Sequence, residues 1–359
     1  MLKNEVTELL NIEHPIIQAP MAGGITTSQL ISAVSNSGGL GMVGAGYMAP
    51  EALQEQIREI KQLTTKNFGI NLFVPNEFHV TQDEIESAEK DLKPIRQALN
   101  LHEEHQVKIP EYSHHAETFN DLIKIVIEEK VKVCSFTFGL PSKKVIGELK
   151  AHNIMLLGTV TTVREAIEAE KSGMDAVVVQ GSEAGGHRGN FISDDKESLI
   201  GLMSLIPQVA DHVRIPVIAA GGIMDGRGLM ASICLGAKAV QMGTAFLTCT
   251  ESGAHHLYKE AIMNAGEEEM VLTNAFSGKW ARGIKNRFIE EMQGKGEAFP
   301  QFPVQNALTQ PIRKAAASQK NRDFMSLWSG QSPRLAKKQT VEELMKCIIS
   351  EANKISGNM

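Results

Sequence analysis

Short apolar runs and amphipathic helical patterns alternate along this chain almost without interruption, and that alternation restricts the fold more than any other feature. An apolar run bounded by turn residues reads as a strand buried on both faces. Apolar residues recurring every three or four positions read as a helix lying on a core. The first strand is expected over Pro15 to Pro20 and the first helix over Thr27 to Ser37, where Leu30, Ile31 and Val34 share a side. Leu40 to Val43 and Pro50 to Leu63 repeat the pair, the helix opening on a proline whose missing N–H costs nothing in a first turn. Phe68 to Phe73 is the third strand; after a polar interruption come a helix over Asp121 to Glu129 and a strand over Lys132 to Phe138. Helices over Ser142 to His152 and Thr162 to Ser172 flank a strand over Ile154 to Thr159, and Asp175 to Gln180 is the sixth strand. A helix around Leu202 to Val213, a strand at Pro216 to Ala220, a helix over Arg227 to Leu235 and a strand at Ala239 to Gly243 complete the series. Eight such units predict an α/β chain folded as a (β/α)8 TIM barrel rather than an open doubly wound sheet.

Two segments exceed a bare barrel. Residues 76–117, rich in His, Glu and Gln, are expected to form an inserted lid or a helical excursion after strand three. The chain beyond Glu251 is longer than one closing helix needs, so residues 251–359 are expected to include a small helical annex over the barrel. With no repeat and no low-complexity linker, residues 1–359 read as a single domain.

Charge and cysteine usage exclude several classes. The 36 basic and 42 acidic residues leave a net charge of −6, and no long basic stripe occurs, so nucleic acid is not an expected partner. No run is long enough to span a bilayer and no signal peptide is evident; the expected location is cytoplasmic, away from membranes. The four cysteines are scattered without a C-x-x-C pair, which suits a reducing compartment, and Cys134 and Cys234 read as small core residues. Arg282, Lys285 and Arg287, spaced by Gly283 and Asn286, read as a solvated turn. A homo-oligomer is compatible with this composition, which does not set the oligomeric state.

The strongest chemical signal is Gln180-Gly181-Ser182-Glu183-Ala184-Gly185-Gly186-His187-Arg188-Gly189, which follows the apolar run Ala176 to Val179. A buried strand ending in an amide and a glycine-rich loop with one histidine puts polar groups where parallel sheets keep their sites. His187 titrates near neutral pH in its ordinary state. Gly221-Gly222 and Gly243-Thr244 end the last two strands, where barrels commonly hold phosphate, and Asp225 is placed to cap the helix after strand seven. Asn71 and Gln180, each near a strand end, offer donor and acceptor together, as the mixed polar edge of a flavin or a base requires. A literal G-x-G-x-x-G at Gly39, Gly41 and Gly44 brackets a strand instead of opening a helix, so it is not a dinucleotide fingerprint. The pairs His114-His115 and His255-His256 lack metal-ligand spacing, no metal is expected, and no G-x-S-x-G hydrolase signature is present.

Four blocks together resemble the class I nitronate monooxygenases, formerly called 2-nitropropane dioxygenases, which are FMN-dependent barrels. They are QAPMAGGITTSQLISAVSNSGGLG from Gln18, FTFGLP from Phe136, QGSEAGGHRG from Gln180, and AAGGIMDGRG from Ala219 with QMGT from Gln241. The resemblance spans nearly the whole chain. It implies that FMN is held by Asn71, Gln180, Gly185, Gly222 and the run Gln241, Met242, Gly243 and Thr244, with Gly221 in the same phosphate loop. Backbone at Ala19, Pro20 and Met21 is implied to lie against the isoalloxazine, and His187 matches the catalytic histidine. The implied reaction oxidises an alkyl nitronate such as propionate 3-nitronate with O2 to a carbonyl compound and nitrite, a detoxification. The alternative is the FMN-dependent, NADH-using enoyl-ACP reductase, against which stand FTFGLP, where the reductases carry a TTGAG-like stretch, and LWSGQSP in the annex. A catalytically silent FMN- or phosphate-binding module is a third reading; it would not need His187.

Overall fold

The structure is a computed structural model that describes residues 2–101, 107–193, 197–295 and 299–358. Its centre is a ring of parallel strands: β1 (Ile16–Gln18), β2 (Gly41–Gly44), β3 (Phe68–Phe73), β4 (Val133–Thr137), β5 (Met155–Val160), β6 (Ala176–Gln180), β8 (Val217–Ala220) and β9 (Ala239–Met242). The two-residue β7 (Gly186–His187) lies outside it. Hydrogen bonding runs β1-β9-β8-β6-β5-β4-β3-β2. A bridge between Ile17 and Leu40 nearly closes the ring, with Gln18 N–H donating to Leu40 O at 2.9 Å and Leu40 N–H to Ile16 O at 3.0 Å. The α/β barrel of eight parallel strands is therefore as the alternating pattern implied.

Side-chain alternation builds two cores from one set of strands. Ile17, Met42, Val133, Leu157, Val178 and Ile218 form an inner cluster with Val6 and Leu10 of α1 (Glu5–Leu10). Their neighbours Ile16, Val43, Cys134, Leu156 and Val177 belong to the layer under the helices. That outer ring comprises α2 (Ser28–Asn36), α3 (Pro50–Leu63), α5 (Tyr112–Glu128), α6 (Lys143–Ala151), α7 (Val163–Ser172), α8 (Leu202–Ala210) and α9 (Gly226–Cys234). Thr27, Ser142, Thr162 and Asp225 accept first-turn N–H groups and so set where α2, α6, α7 and α9 start. Gly41 lets α2 lie against β2, since a Cβ there would stand 2.3 Å from Ile31 O.

The remaining elements build the annex: α4 (Gln82–Ala98), α10 (Thr244–Leu247), α11 (His256–Asn264), β10 (Met270–Thr273), β11 (Ala281–Ile284), α12 (Arg287–Glu291) and α13 (Val304–Ser318). Ala88, Leu92 and Ile95 of α4 share a second core with Phe276, Phe288, Leu308 and Ile312, so two segments far apart in sequence pack as one body. The last helix, α14 (Val341–Gly357), returns to the barrel and lies on α9.

Four expectations change. The helix before β4 begins at Tyr112 rather than Asp121, inside the segment expected as an insertion, whose residues 102–106 lie outside the described residues. The annex is not wholly helical, because β10 and β11 pair antiparallel and β11 also pairs with β7. Cys234 is exposed, since it ends α9 on the side turned from the core, whereas Cys134 is buried. Arg282 is no solvated turn: it is buried in β11, with its Nε donating to Ser182 O at 2.9 Å.

Candidate active site

Parallel strands all end at one rim, and most of the polar residues singled out from the sequence lie there. Register places Gly44 beside Asn71, Asn71 beside Ser135, Gln180 beside Ala220 and Ala220 beside Gln241. Ala19 continues β1, its N–H donating to Met242 O at 2.8 Å, so Ala19, Pro20 and Met21 leave the ring next to the Gly243-Thr244 turn. The end of β2 passes close beneath them, for a Cβ on Gly44 would stand 2.6 Å from Ala22 N. The Met242 side chain points away into the helix layer, which leaves only its backbone at the rim.

The two amides are engaged by protein. Asn71 is buried, with its Nδ2 donating to Ser135 Oγ at 2.8 Å and to Thr137 Oγ1 at 3.0 Å. Gln180 donates from Nε2 to His187 O at 2.9 Å and accepts at Oε1 from Gly189 N–H at 2.8 Å, so it clasps both sides of the histidine turn.

The long loop after β6 is stapled from every side. Arg188 is fully buried; its Nη1 donates to Gly181 O at 2.7 Å, and its Nη2 to Gln180 O at 3.1 Å and Ser198 O at 2.7 Å. Beyond it the buried Glu165 accepts from Phe191 N–H at 2.7 Å and Ile192 N–H at 2.9 Å, and from Thr161 N–H at 2.7 Å. Gly185 admits the LWSGQSP segment, because a Cβ would stand 2.5 Å from the Ser329 carbonyl carbon. Gly330 N–H then reaches Thr244 Oγ1 at 3.0 Å, and Gln331 N–H reaches Glu183 O at 3.0 Å.

His187 sits where barrel and annex meet, since β7 pairs it with Ala281 of β11. Its ring lies 5.3 Å from Trp328, 6.1 Å from Phe138 and 6.1 Å from Phe302, centroid to centroid. Phe73 and Tyr47 extend that aromatic wall through contacts at 4.6 Å to Phe138 and 5.3 Å between themselves. Burial, then the charges of Lys279 and Arg313, push the imidazole down from 6.5 to about 3, so it is neutral across the physiological range. Nε2 lies 2.8 Å from Ser277 Oγ. Ser277 directs its own proton to Lys279 O at 3.0 Å, so its oxygen accepts from the ring. The hydrogen-bond network thereby assigns the proton to Nε2 and leaves Nδ1 as the basic nitrogen. Gln305 and Thr309 of α13 hold the carbonyls of Ala275 and Phe276 just before Ser277, Gln305 at 2.8 Å.

The glycine turns suit an anion. Gly221 and Gly222 take φ values of +140° and +65°, conformations that favour glycine, and a capped helix follows them. The N–H groups of Gly222 and Gly243 donate to no protein acceptor among the described residues, which leaves them for a phosphate. No group of three potential metal ligands occurs among the described residues, and no helix there is long and apolar enough to cross a membrane.

Sequence reasoning brought His187, Gln180, Asn71 and the glycine turns to one rim. It missed Arg188, Glu165, Ser277, Phe302 and Arg313. A buried arginine directly after the histidine was visible in QGSEAGGHRG, whereas Ser277, Phe302 and Arg313 are joined to the site only by folding of the annex.

The family model described as nitronate monooxygenase matches residues 3–351. A probable nitronate monooxygenase of Staphylococcus aureus (strain Newman) is 52% identical over 354 residues, covering 98% of this chain and 98% of that protein. Among solved structures, the nitroalkane oxidase of Streptomyces ansochromogenes is 35% identical with a TM-score of 0.90, covering 98% of this chain and 99% of its own. FabK from Thermotoga maritima superposes less closely, at a TM-score of 0.77 and 33% identity, over 100% of this chain and 98% of that one.

Proposed function

The chain belongs to the nitronate monooxygenase family and is an enzyme of that kind, and from its rim we propose that it binds FMN and oxidises alkyl nitronates, such as propionate 3-nitronate, to a carbonyl compound and nitrite. The observation that carries this reading is a neutral imidazole, walled by aromatic rings, at the point where the glycine loop after β6 pairs with the annex.

FMN would be held by backbone at Ala19, Pro20 and Met21, by Asn71, Gln180 and Gly185, and at its phosphate by Gly221, Gly222, Gln241, Gly243 and Thr244, with Met242 contributing backbone alone. When bound, it supplies the redox chemistry that side chains lack. The protein's part is to bind, orient and exclude water. Lys279 and Arg313 attract the nitronate anion, while the aromatic wall removes water and strengthens that attraction. His187 Nδ1 is the acceptor available for the Cα proton when a neutral nitroalkane enters, and Ser277 keeps the other nitrogen protonated. The same imidazole, being neutral, adds no charge that a nitronate would already neutralise. Removal of toxic nitronates is the purpose this chemistry serves.

Spectroscopy of the purified holoprotein tests the proposal. Anaerobic propionate 3-nitronate is expected to change the flavin spectrum, and admission of air to give O2 uptake and nitrite. Bleaching by NADH with no response to the nitronate would contradict it and favour an enoyl-ACP reductase.

A further inference from the structure

The annex segment Ser329 to Ser332 lies across the glycine turns and brings them a hydroxyl that the protein itself does not use. Its path is fixed at several points. A Cβ on Gly330 would stand 3.0 Å from Glu183 O and 3.6 Å from Thr244 Oγ1, and one on Gly185 would stand 2.6 Å from Gly330 N. The segment therefore touches the loop after β6 and the turn after β9 at once. It reaches the turn after β8 as well, for a Cβ on Gly222 would stand 3.4 Å from Ser332 Oγ. Ser332 is half-buried there. It precedes the single turn Pro333–Leu335, a position where a serine hydroxyl usually accepts a first-turn N–H. Here Leu335 N–H goes instead to the Ser332 carbonyl, at 3.2 Å. The Ser332 hydroxyl makes no hydrogen bond with protein among the described residues.

Other unused donors gather at the same spot. The N–H groups of Gly222 and Ile223 meet no protein acceptor among the described residues. Thr244 is buried, and its Oγ1 already accepts from Gly330 N–H at 3.0 Å, so its own proton is left to point elsewhere. One carboxylate stands nearby, and it is committed. Both Glu183 oxygens accept from Leu202 N–H, at 2.9 Å and 3.1 Å, and the buried Arg282 lies within reach of its charge. Converging N–H and O–H donors beside glycines that admit a close approach fit a phosphate. We propose that Ser332 is a phosphate ligand supplied by the annex, its hydroxyl donating to the FMN phosphate, so that Ser329 to Ser332 straps the cofactor onto the barrel rim. The inference rests on the FMN-binding reading and adds to that site a residue from outside the barrel. Gly330 N–H on Thr244 and Gln331 N–H on Glu183 O, both at 3.0 Å, hold the strap in place. The hydroxyl is thereby delivered with a single side-chain torsion left to fix.

Binding of FMN and of riboflavin, which lacks only the phosphate, separates this role from a structural one. Each is titrated into the flavin-free full chain and followed by quenching of flavin fluorescence. The native chain is expected to bind FMN about 100-fold or more tighter than riboflavin. Ser332→Ala is expected to weaken FMN by about tenfold, the worth of one hydrogen bond to a charged group, and riboflavin by less than about twofold. Ser332→Thr keeps the hydroxyl and should stay within about threefold of native for FMN. Ser332→Asp sets a carboxylate against the phosphate and should weaken FMN by about 100-fold or more, with riboflavin again unmoved. The flavin-free Ser332→Ala chain should melt with the native one, because the hydroxyl holds nothing in the protein. Equal losses for the two flavins, undiminished FMN affinity in Ser332→Ala or Ser332→Asp, or a lower flavin-free melting point in Ser332→Ala would overturn the proposal. So would a native chain that does not prefer FMN to riboflavin. A native chain that binds neither flavin would overturn the FMN reading and this inference with it.

Discussion

The barrel rim and the annex meet at β7 and bring opposite chemistry to that junction. On the rim the amides of Asn71 and Gln180 are each held in place by protein hydrogen bonds, and glycine turns present bare backbone. From the annex come Ser277, Lys279, Phe302, Arg313 and Trp328: a positioning hydroxyl, two cations and the rings that dry them. His187 belongs to the rim by sequence and to the annex by pairing, through β7. A barrel of this kind presents fixed backbone at its rim, while an appended body decides which side chains are brought to it.

Breaking the junction itself should have the largest effect. His187→Ala is expected to lower turnover of a nitroalkane by about 10²–10⁴-fold while leaving flavin bound, because the imidazole is placed to move a proton and touches none of the glycine turns. Steady-state rates together with the flavin content of the purified variant check this, and flavin loss in step with activity would merge the two regions into one.

Arg188 staples the glycine loop from within the rim. Its replacement by Met leaves the carbonyls of Gly181, Gln180 and Ser198 without their charged donor and should cost about 3 kcal/mol, read from the urea midpoint. A much smaller cost would show that the annex, through the Ser329–Gly330 segment, holds the loop by itself. The smallest effect marks the edge of the comparison. Cys234→Ser, at the exposed end of α9, should stay within about 0.5 kcal/mol of the native protein in the same measurement.

These regions were not equally legible in the sequence. The barrel was readable because its signals are local: Ala176 to Val179 is an apolar run, Thr27 and Ser142 precede helical periodicity, and glycines punctuate the strand ends. Even the exceptions are physical, since Cys234 shares apolar neighbours with core residues but ends its helix on the outer side. The annex was opaque because its contacts join distant segments. Nothing near Arg282 shows that β11 will bury it against Ser182 O, and nothing near Ala88 shows that α4 will pack on α13. His187 and the glycine turns stood out from the residues themselves and the resemblance implied their roles, whereas the hydroxyl that orders the ring and the guanidinium that charges its surroundings emerge only in three dimensions.

Acid behaviour ties both regions to one group. Because the folded imidazole is depressed from 6.5 to about 3, its contribution to stability is intact above pH 6.5 and is lost as the pH falls below that value towards 3, where only the unfolded chain takes up the proton. The same depression makes a neutral His187, held between rim and annex, directly measurable. The measurement is kcat/KM for the deprotonation of a neutral nitroalkane from pH 8 down to pH 5, with the flavin bound throughout. No loss attributable to His187 is expected across that range, because the imidazole stays unprotonated until about pH 3. A fall in rate with an apparent pKa near 6.5 that disappears in His187→Ala would show an ordinary, solvated histidine and contradict it.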